Sequence, residues 1–305
     1  MLKKILRYLR YIVIAVLAVF CVFALVMVDR GRKLASSVME ETPISAAVEP
    51  YFSMSTWTDY EDLDPKFVEA VVSVEDQRYF KRYGFDWPAL IRAVFNNMMA
   101  RSFVEGGSTI SQQIAKNLYF QSAPRGVTEK IAEVYIMYRL EATYSKQTLF
   151  ALYVNMNYYG DGYWGIREAS EGYYGVEPDD LTLGQAAMLA GIPNAPGYYQ
   201  LSTGYDAALR RMHKVLNRMR QESYITDDER QAAMEEDMRP LSVKKSDTSA
   251  ETLEPTDGLT LDTNFDLSLF IKQKKTTLLC GFLFLTYRAA KGTRTLECWS
   301  HNPVC

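Results

Sequence analysis

The segment Gly106-Gly107-Ser108-Thr109-Ile110-Ser111-Gln112-Gln113-Ile114-Ala115-Lys116-Asn117 runs a small-residue loop into the start of a helix. Thr109 and Gln112 stand at capping-box spacing, the local signature of a helical first turn. Positions 109, 112, 113 and 116 then share one face, so Thr109, Gln112, Gln113 and Lys116 are expected to point together. Unpaired N–H groups and the positive dipole end favour an anion at such a helix start, which suggests a phosphate-bearing ligand. A mononucleotide-binding loop is excluded, because no Gly-Lys-Ser/Thr follows the glycines. An N-capped surface helix with a solvated stripe would use the same residue types, although paired glutamines are an odd choice for a plain surface.

Upstream lies the acidic pair Glu75-Asp76. Asp64-Pro65 reads as an N-cap followed by proline at the first helical position, and Phe67, Val68, Val71 and Val72 supply an apolar stripe. If that helix continues, Glu75 falls on the stripe, four residues after Val71 and seven after Val68. Partial desolvation would then raise its pKa and suit it to act as a general base. Ion pairing of Glu75 and Asp76 with Arg78, Lys81 or Arg82 is the competing reading. Downstream, Lys130 precedes Glu133 by three residues and Glu129 precedes it by four, which fits local pairing on an exposed helix. Arg125, just ahead of that helix, is either a phosphate clamp or a loop charge.

Helix starts are also expected at Thr128, Ser145 and Thr182, the last helix closing at Gly191-Ile192-Pro193, and a further capping box spans Thr226-Asp227-Asp228-Glu229. Clear period-two runs are absent, so residues 61–236 read as one mainly α domain with aromatic-rich loops such as 158–165. Tyr11 to Val28 is an uncharged run of eighteen residues, near the lower limit for a helix that crosses a bilayer. It reads as an uncleaved transmembrane anchor over 11–28, preceded by a cytoplasmic N-terminus (1–10) and followed by a juxtamembrane linker (29–60). Beyond residue 236 the composition turns to Ser, Thr, Asp and Lys and then to a short apolar patch. An irregular tail over 237–305 is expected, with readthrough or frameshift past a natural end left open as its origin.

At 305 residues, 48% hydrophobic and 23% charged, the chain has enough apolar material for a sizeable core. A net charge of -3 gives no electrostatic footprint for nucleic acid, which is discounted as a partner. Two histidines and four cysteines, three of them in the last twenty-six residues, leave no zinc-ligand spacing in the central region. No metal site and no required cofactor are expected; stimulation by Mg²⁺ or Mn²⁺ through oxygen ligands stays open.

Five ordered stretches, EDQRYFKRYGFD (75–86), GGSTISQQIAKNLY (106–119), EKIAE (129–133), SKQTLFALYVNMNYYGDGYWGI (145–166) and LTLGQAAMLAGIPNAPGYY (181–199), resemble glycosyltransferase family 51, the peptidoglycan glycosyltransferases, in its monofunctional, membrane-anchored form. The resemblance covers about residues 60–222 and implies a lysozyme-like, two-lobed helical fold on the extracytoplasmic side of the cell membrane. It further implies that lipid II is polymerised into β-1,4 glycan with release of undecaprenyl pyrophosphate and inversion. Glu75 would be the base and Glu133 a second catalytic glutamate. Lys116 and Arg125 would hold the donor pyrophosphate, with Lys130 near it and Ser108, Thr109, Gln112 and Gln113 lining the donor cleft. Lipid II, the growing glycan, the membrane and cell-wall synthesis proteins are the partners it implies. Tyr79, Arg82, Tyr83, Glu129 and Ala151 depart from the family pattern. A lytic glycosidase of lysozyme type and a catalytically silent anchored scaffold are the alternatives.

Overall fold

In the computed structural model, residues 2–100, 107–121 and 126–242 are described. Asp64 caps the helix Pro65–Glu75 (α3 below): its carboxylate accepts from the amides of Lys66 at 2.7 Å and Phe67 at 3.3 Å, beside Pro65 at the first position. The expected capping boxes at Thr109–Gln112, Thr182–Gln185 and Thr226–Glu229 all form, and Ser145 caps the helix that begins at Lys146. One expected start is displaced: the helix expected to open at Thr128 begins instead at Val127, behind Gly126.

Twelve α-helices follow among the described residues: α1 (Leu2–Glu41), α2 (Ile44–Phe52), α3 (Pro65–Glu75), α4 (Trp87–Ala100), α5 (Ile110–Tyr119), α6 (Val127–Thr143), α7 (Lys146–Met156), α8 (Ile166–Tyr174), α9 (Leu183–Gly191), α10 (Pro196–Tyr199), α11 (Tyr205–Gln221) and α12 (Asp227–Glu235). The only extended pairing among the described residues is one antiparallel bridge, Tyr158 with Trp164. The chain is mainly α, as its periodicity predicts.

The helices pack in two groups. In one, α3 lies on α9 and α11, and α12 joins them. The small residues Gly184, Ala186, Ala187, Ala190 and Gly191 of α9 let its neighbours approach closely around Phe67, Val71, Met212 and Leu216. In the other, α6 packs against α5 and the C-terminal half of α1. α7, buried along nearly its whole length, touches α5, α6 and α8 and so joins the groups.

The linker expected over 29–60 is largely helical instead. α1 continues unbroken to Glu41 and α2 follows at once. Gly31, Leu34, Ala35, Val38 and Met39 form a stripe of helical spacing that turns inward, with Gly31 and Ala35 fully covered. A side chain at Gly31 would stand 2.4 Å from Cγ2 of Ile131, so glycine is required for α1 to lie this close to α6. The charges that make this stretch look like a stalk pair on the outer face, Asp29 with Lys33 at 2.7 Å and with Arg32 at 3.3 Å. The apolar half of α1, with none of its span buried against the rest of the protein, is long and apolar enough to cross a membrane. The core therefore begins before residue 61, with Ala35, Val48 and Thr58 already buried. Most of the expected irregular tail lies outside the described residues.

Candidate active site

The C-terminus of α3 meets the N-terminus of α5, and there the adjacent carboxylates part. Asp76 turns inward, with its side chain 2% exposed. It accepts from the Ile110 amide at 3.2 Å and pairs with Arg82. Arg82 also donates to the Gly84 carbonyl and approaches Asp86 at 3.7 Å and Glu141 at 3.9 Å. Glu141 in turn accepts from Ser111 Oγ, Lys146 Nζ and the Gly84 amide, all at 2.6 Å. This network locks the 76–86 loop onto α5, α6 and α7. Burial raises the Asp76 pKa against the opposing Arg82 charge, and burial lowers that of Lys146 against the opposing Glu141.

The start of α5 is consequently committed largely to the protein's own groups. Its first amide is taken by Asp76, the Gln112 amide by Thr109 Oγ1 at 3.2 Å, and the Thr109 amide by Gln112 Oε1 at 2.9 Å. The helix-end anion site expected from the sequence is thus occupied by the protein's own groups. Gln112, 1% exposed and spent on its cap, does not open into the cleft with its neighbours. Side-chain capping outcompetes the shared polar face because the capping glutamine must fold back over the first turn.

Glu75 faces the other way, into a cleft of about 1630 Å³ lined among others by Ser108, Thr109, Gln113, Lys116, Lys130 and Glu133. Gln113 Nε2 donates to Glu75 Oε2 at 2.7 Å, and Arg211 Nη2 lies 3.8 Å from Oε1. Burial raises the Glu75 pKa, opposed by the Gln113 hydrogen bond and the Arg211 charge and reinforced by neighbouring Asp76. On α6, Lys130 Nζ donates to Glu133 Oε2 at 2.7 Å and to Ser108 Oγ at 2.8 Å, which brings three expected site residues together. Lys116 lines the same cavity from α5. Arg125 lies outside the described residues.

The departing residues separate cleanly. Tyr79 is fully buried, donates to the Lys146 carbonyl at 3.1 Å and carries Lys146 Nζ over its ring at 4.3 Å. Tyr79, Arg82 and Ala151 are not among the lining residues, whereas Glu129 is. The aromatic residues Tyr153, Tyr159, Tyr173 and Tyr174 belong to the core rather than the cleft. The opposite wall was missed: α11 contributes Arg211, Lys214 and Arg218, with Pro193 and Asn194 beside them. Their i, i+3, i+7 spacing, on a face of α11 that flanks the buried Ala208, Met212, Val215 and Met219, is a signal the sequence does carry. Among the described residues no group of three or more His, Cys, Asp or Glu side chains is arranged to hold a metal ion.

A family model described as transglycosylase matches residues 42–220. Penicillin-binding protein 1A of Vibrio cholerae is 39% identical over 180 residues, covering 59% of this chain and 22% of that protein. Its counterpart from Aquifex aeolicus is 38% identical over 178 residues, covering 58% and 24%. A solved structure of penicillin-binding protein 1A from Haemophilus influenzae overlaps 37% of this chain and 18% of that one, at 26% identity and a TM-score of 0.31. The chain thus spans about a quarter of the length of the curated relatives it matches. With more than half of its residues inside the family match, including both glutamates and the α11 wall of the cleft, the chain belongs to the transglycosylase family.

Proposed function

We propose that this chain is a peptidoglycan glycosyltransferase that polymerises lipid II on the outer face of the cell membrane, with α1 as its anchor. The observation that carries the reading is a largely buried carboxyl, Glu75, held by Gln113 on the wall of a cleft that also presents Lys116, Lys130 and Ser108. In this reading Glu75 takes the proton from the 4-hydroxyl of the acceptor sugar. That oxygen attacks the anomeric carbon of the donor, whose C–O bond to pyrophosphate breaks on the opposite face with inversion. No covalent intermediate is needed, because one positioned base and a stabilised leaving group suffice.

Lys116, Lys130, Ser108 and Arg125 receive the departing pyrophosphate as cations and donors. Glu133 fixes the Lys130 ammonium in place, and Gln113 orients the base. Thr109 and Gln112 act by building the α5 start on which Gln113 and Lys116 stand. A base with a raised pKa suits this step, since proton transfer is most efficient when the pKa approaches the working pH. Cell-wall synthesis proteins are proposed as further partners.

The test is purified protein given lipid II, with and without Mg²⁺ or Mn²⁺, and separately given preformed glycan. Polymer with released undecaprenyl pyrophosphate is expected, and Glu75→Gln should abolish it while the helical circular dichroism is retained. Cleavage of preformed glycan would establish a lytic glycosidase instead. Neither activity would leave a scaffold.

A further inference from the structure

The cation that faces the free oxygen of Glu75 comes from the far wall. Arg211 lies in α11, 136 residues away in the chain, with its side chain 19% exposed and its Nε buried without a hydrogen-bond partner. Its aliphatic stem runs past Gly191 at the end of α9. A Cβ at Gly191 would stand 2.9 Å from Arg211 Cγ and 3.6 Å from Val215 Cγ2. Gly191 has an ordinary right-handed φ of -80, so glycine is needed here for space rather than for backbone freedom. The missing side chain at Gly191 therefore gives the Arg211 stem the room it occupies on its way to the carboxyl.

The two oxygens of Glu75 are treated differently. Oε2 accepts a hydrogen bond from the neutral Gln113 amide at 2.7 Å, while Oε1 has only the guanidinium at 3.8 Å, beyond hydrogen-bond reach. At that distance a positive charge favours the ionised carboxyl without consuming the lone pair that must accept a proton. The other groups around Glu75 do not substitute for it. Asp76 beside it on α3 acts in the opposite sense, and Gln113 of α5 is uncharged. Tyr153 of α7, held protonated by burial, carries no charge. Lys214 lies a turn further along α11, and Lys130 of α6 is paired with Glu133. Lys116 of α5 lines the same cavity.

We propose that Arg211 is a positioning residue that keeps Glu75 ionised and turned into the cleft while leaving Oε1 free to take the substrate proton. This rests on the reading of Glu75 as the base. Two readouts on the full-length chain in detergent test it. First, the Glu75 carboxyl is titrated without substrate, as the infrared difference between wild type and Glu75→Gln, and again with both proteins carrying Arg211→Gln. Second, kcat and KM for lipid II are measured across pH for wild type, Arg211→Gln, Arg211→Lys and Gly191→Ala.

In Arg211→Gln the carboxyl band should titrate at higher pH. The acid limb of kcat should move with it, about tenfold in rate at fixed pH for each pH unit of displacement. KM should stay within about twofold. Arg211→Lys should restore most of the lost rate, and Gly191→Ala, which displaces the guanidinium but keeps its charge, should fall between. An unchanged infrared titration, or a pH-independent loss that appears in KM, would overturn the proposal and make Arg211 a substrate-binding or structural cation. If Arg211→Gln does not fold, the Lys and Gly191 variants carry the same test. A wild type inactive on lipid II would refute the proposed function, while the infrared titration would still decide whether Arg211 governs the carboxyl.

Discussion

Asn155 offers the most direct check on how the segment before α3 is fastened to the rest. Its Oδ1 accepts from the Thr58 amide at 3.0 Å, and its Nδ2 donates to the Thr58 carbonyl at 2.8 Å and to the Ala151 carbonyl at 2.8 Å. Thr58 is completely buried and Asn155 is 1% exposed, so water does not compete for these bonds. Asn155→Ala strands both backbone groups of Thr58, at about 1–3 kcal/mol each. Ala151 O loses less, since it keeps its place in the ladder of α7. A net cost of about 3 kcal/mol, at about 3 °C per kcal/mol for a domain of this size, predicts a fall in melting temperature of about 10 °C. The assay is thermal unfolding followed at 222 nm. Because Asn155 is not among the residues lining the cleft, turnover of lipid II well below the transition should be unchanged. A fall of less than about 2 °C would refute the premise that Thr58 has no alternative partner, and an equally large fall in Asn155→Ala and Ser145→Ala would point to helix α7 in general rather than to this tether.

Other expected outcomes test the charges and the close contacts. Burial raises the pKa of Glu75, so its ionised form costs stability: the favourable contribution is complete at acid pH and is lost as pH rises through the folded-state pKa. Glu75→Gln should therefore melt above wild type at pH 8, with the gap closing towards acid pH; a pH-independent difference would contradict the burial. Arg82→Ala removes the cation facing Asp76 and should cost about 3–5 kcal/mol, seen as a urea midpoint lower by about 1–2 M. Gly31→Val drives a side chain into Ile131 and should destabilise by about 1–3 kcal/mol, and Ile131→Ala should recover part of that loss in the double variant.

Much of the helical layout is legible from local chemistry. Asp64-Pro65, Thr109–Gln112, Ser145, Thr182–Gln185 and Thr226–Glu229 each mark a helix start that forms, because capping is settled within four residues of chain. Glu75 on the apolar stripe and Lys130 three residues before Glu133 also follow from periodicity alone. The misreadings are long-range. Nothing within α5 reveals that Asp76 will take its first amide, or that Gln112 will be spent on its cap, and both depend on the packing of α3. Arg211 approaches Glu75 only once α9 and α11 have packed, so its role is invisible to spacing. The inward stripe of α1 was readable, but Asp29, Arg30, Arg32 and Lys33 between its apolar positions made the stretch look like a tether.

The unbroken run of α1 acts as a ruler and a compass at once. Its inward stripe grips α6, the helix that bears Lys130 and Glu133, while the same rod continues into the apolar residues before Val28. Each residue inserted between those two parts would lift the domain by about 1.5 Å and swivel it by about 100°. One or two added residues would aim the cleft elsewhere at nearly the same height, and seven would restore the heading about 10 Å further out. Orientation and elevation of the cleft are thus written into the length of a single helix.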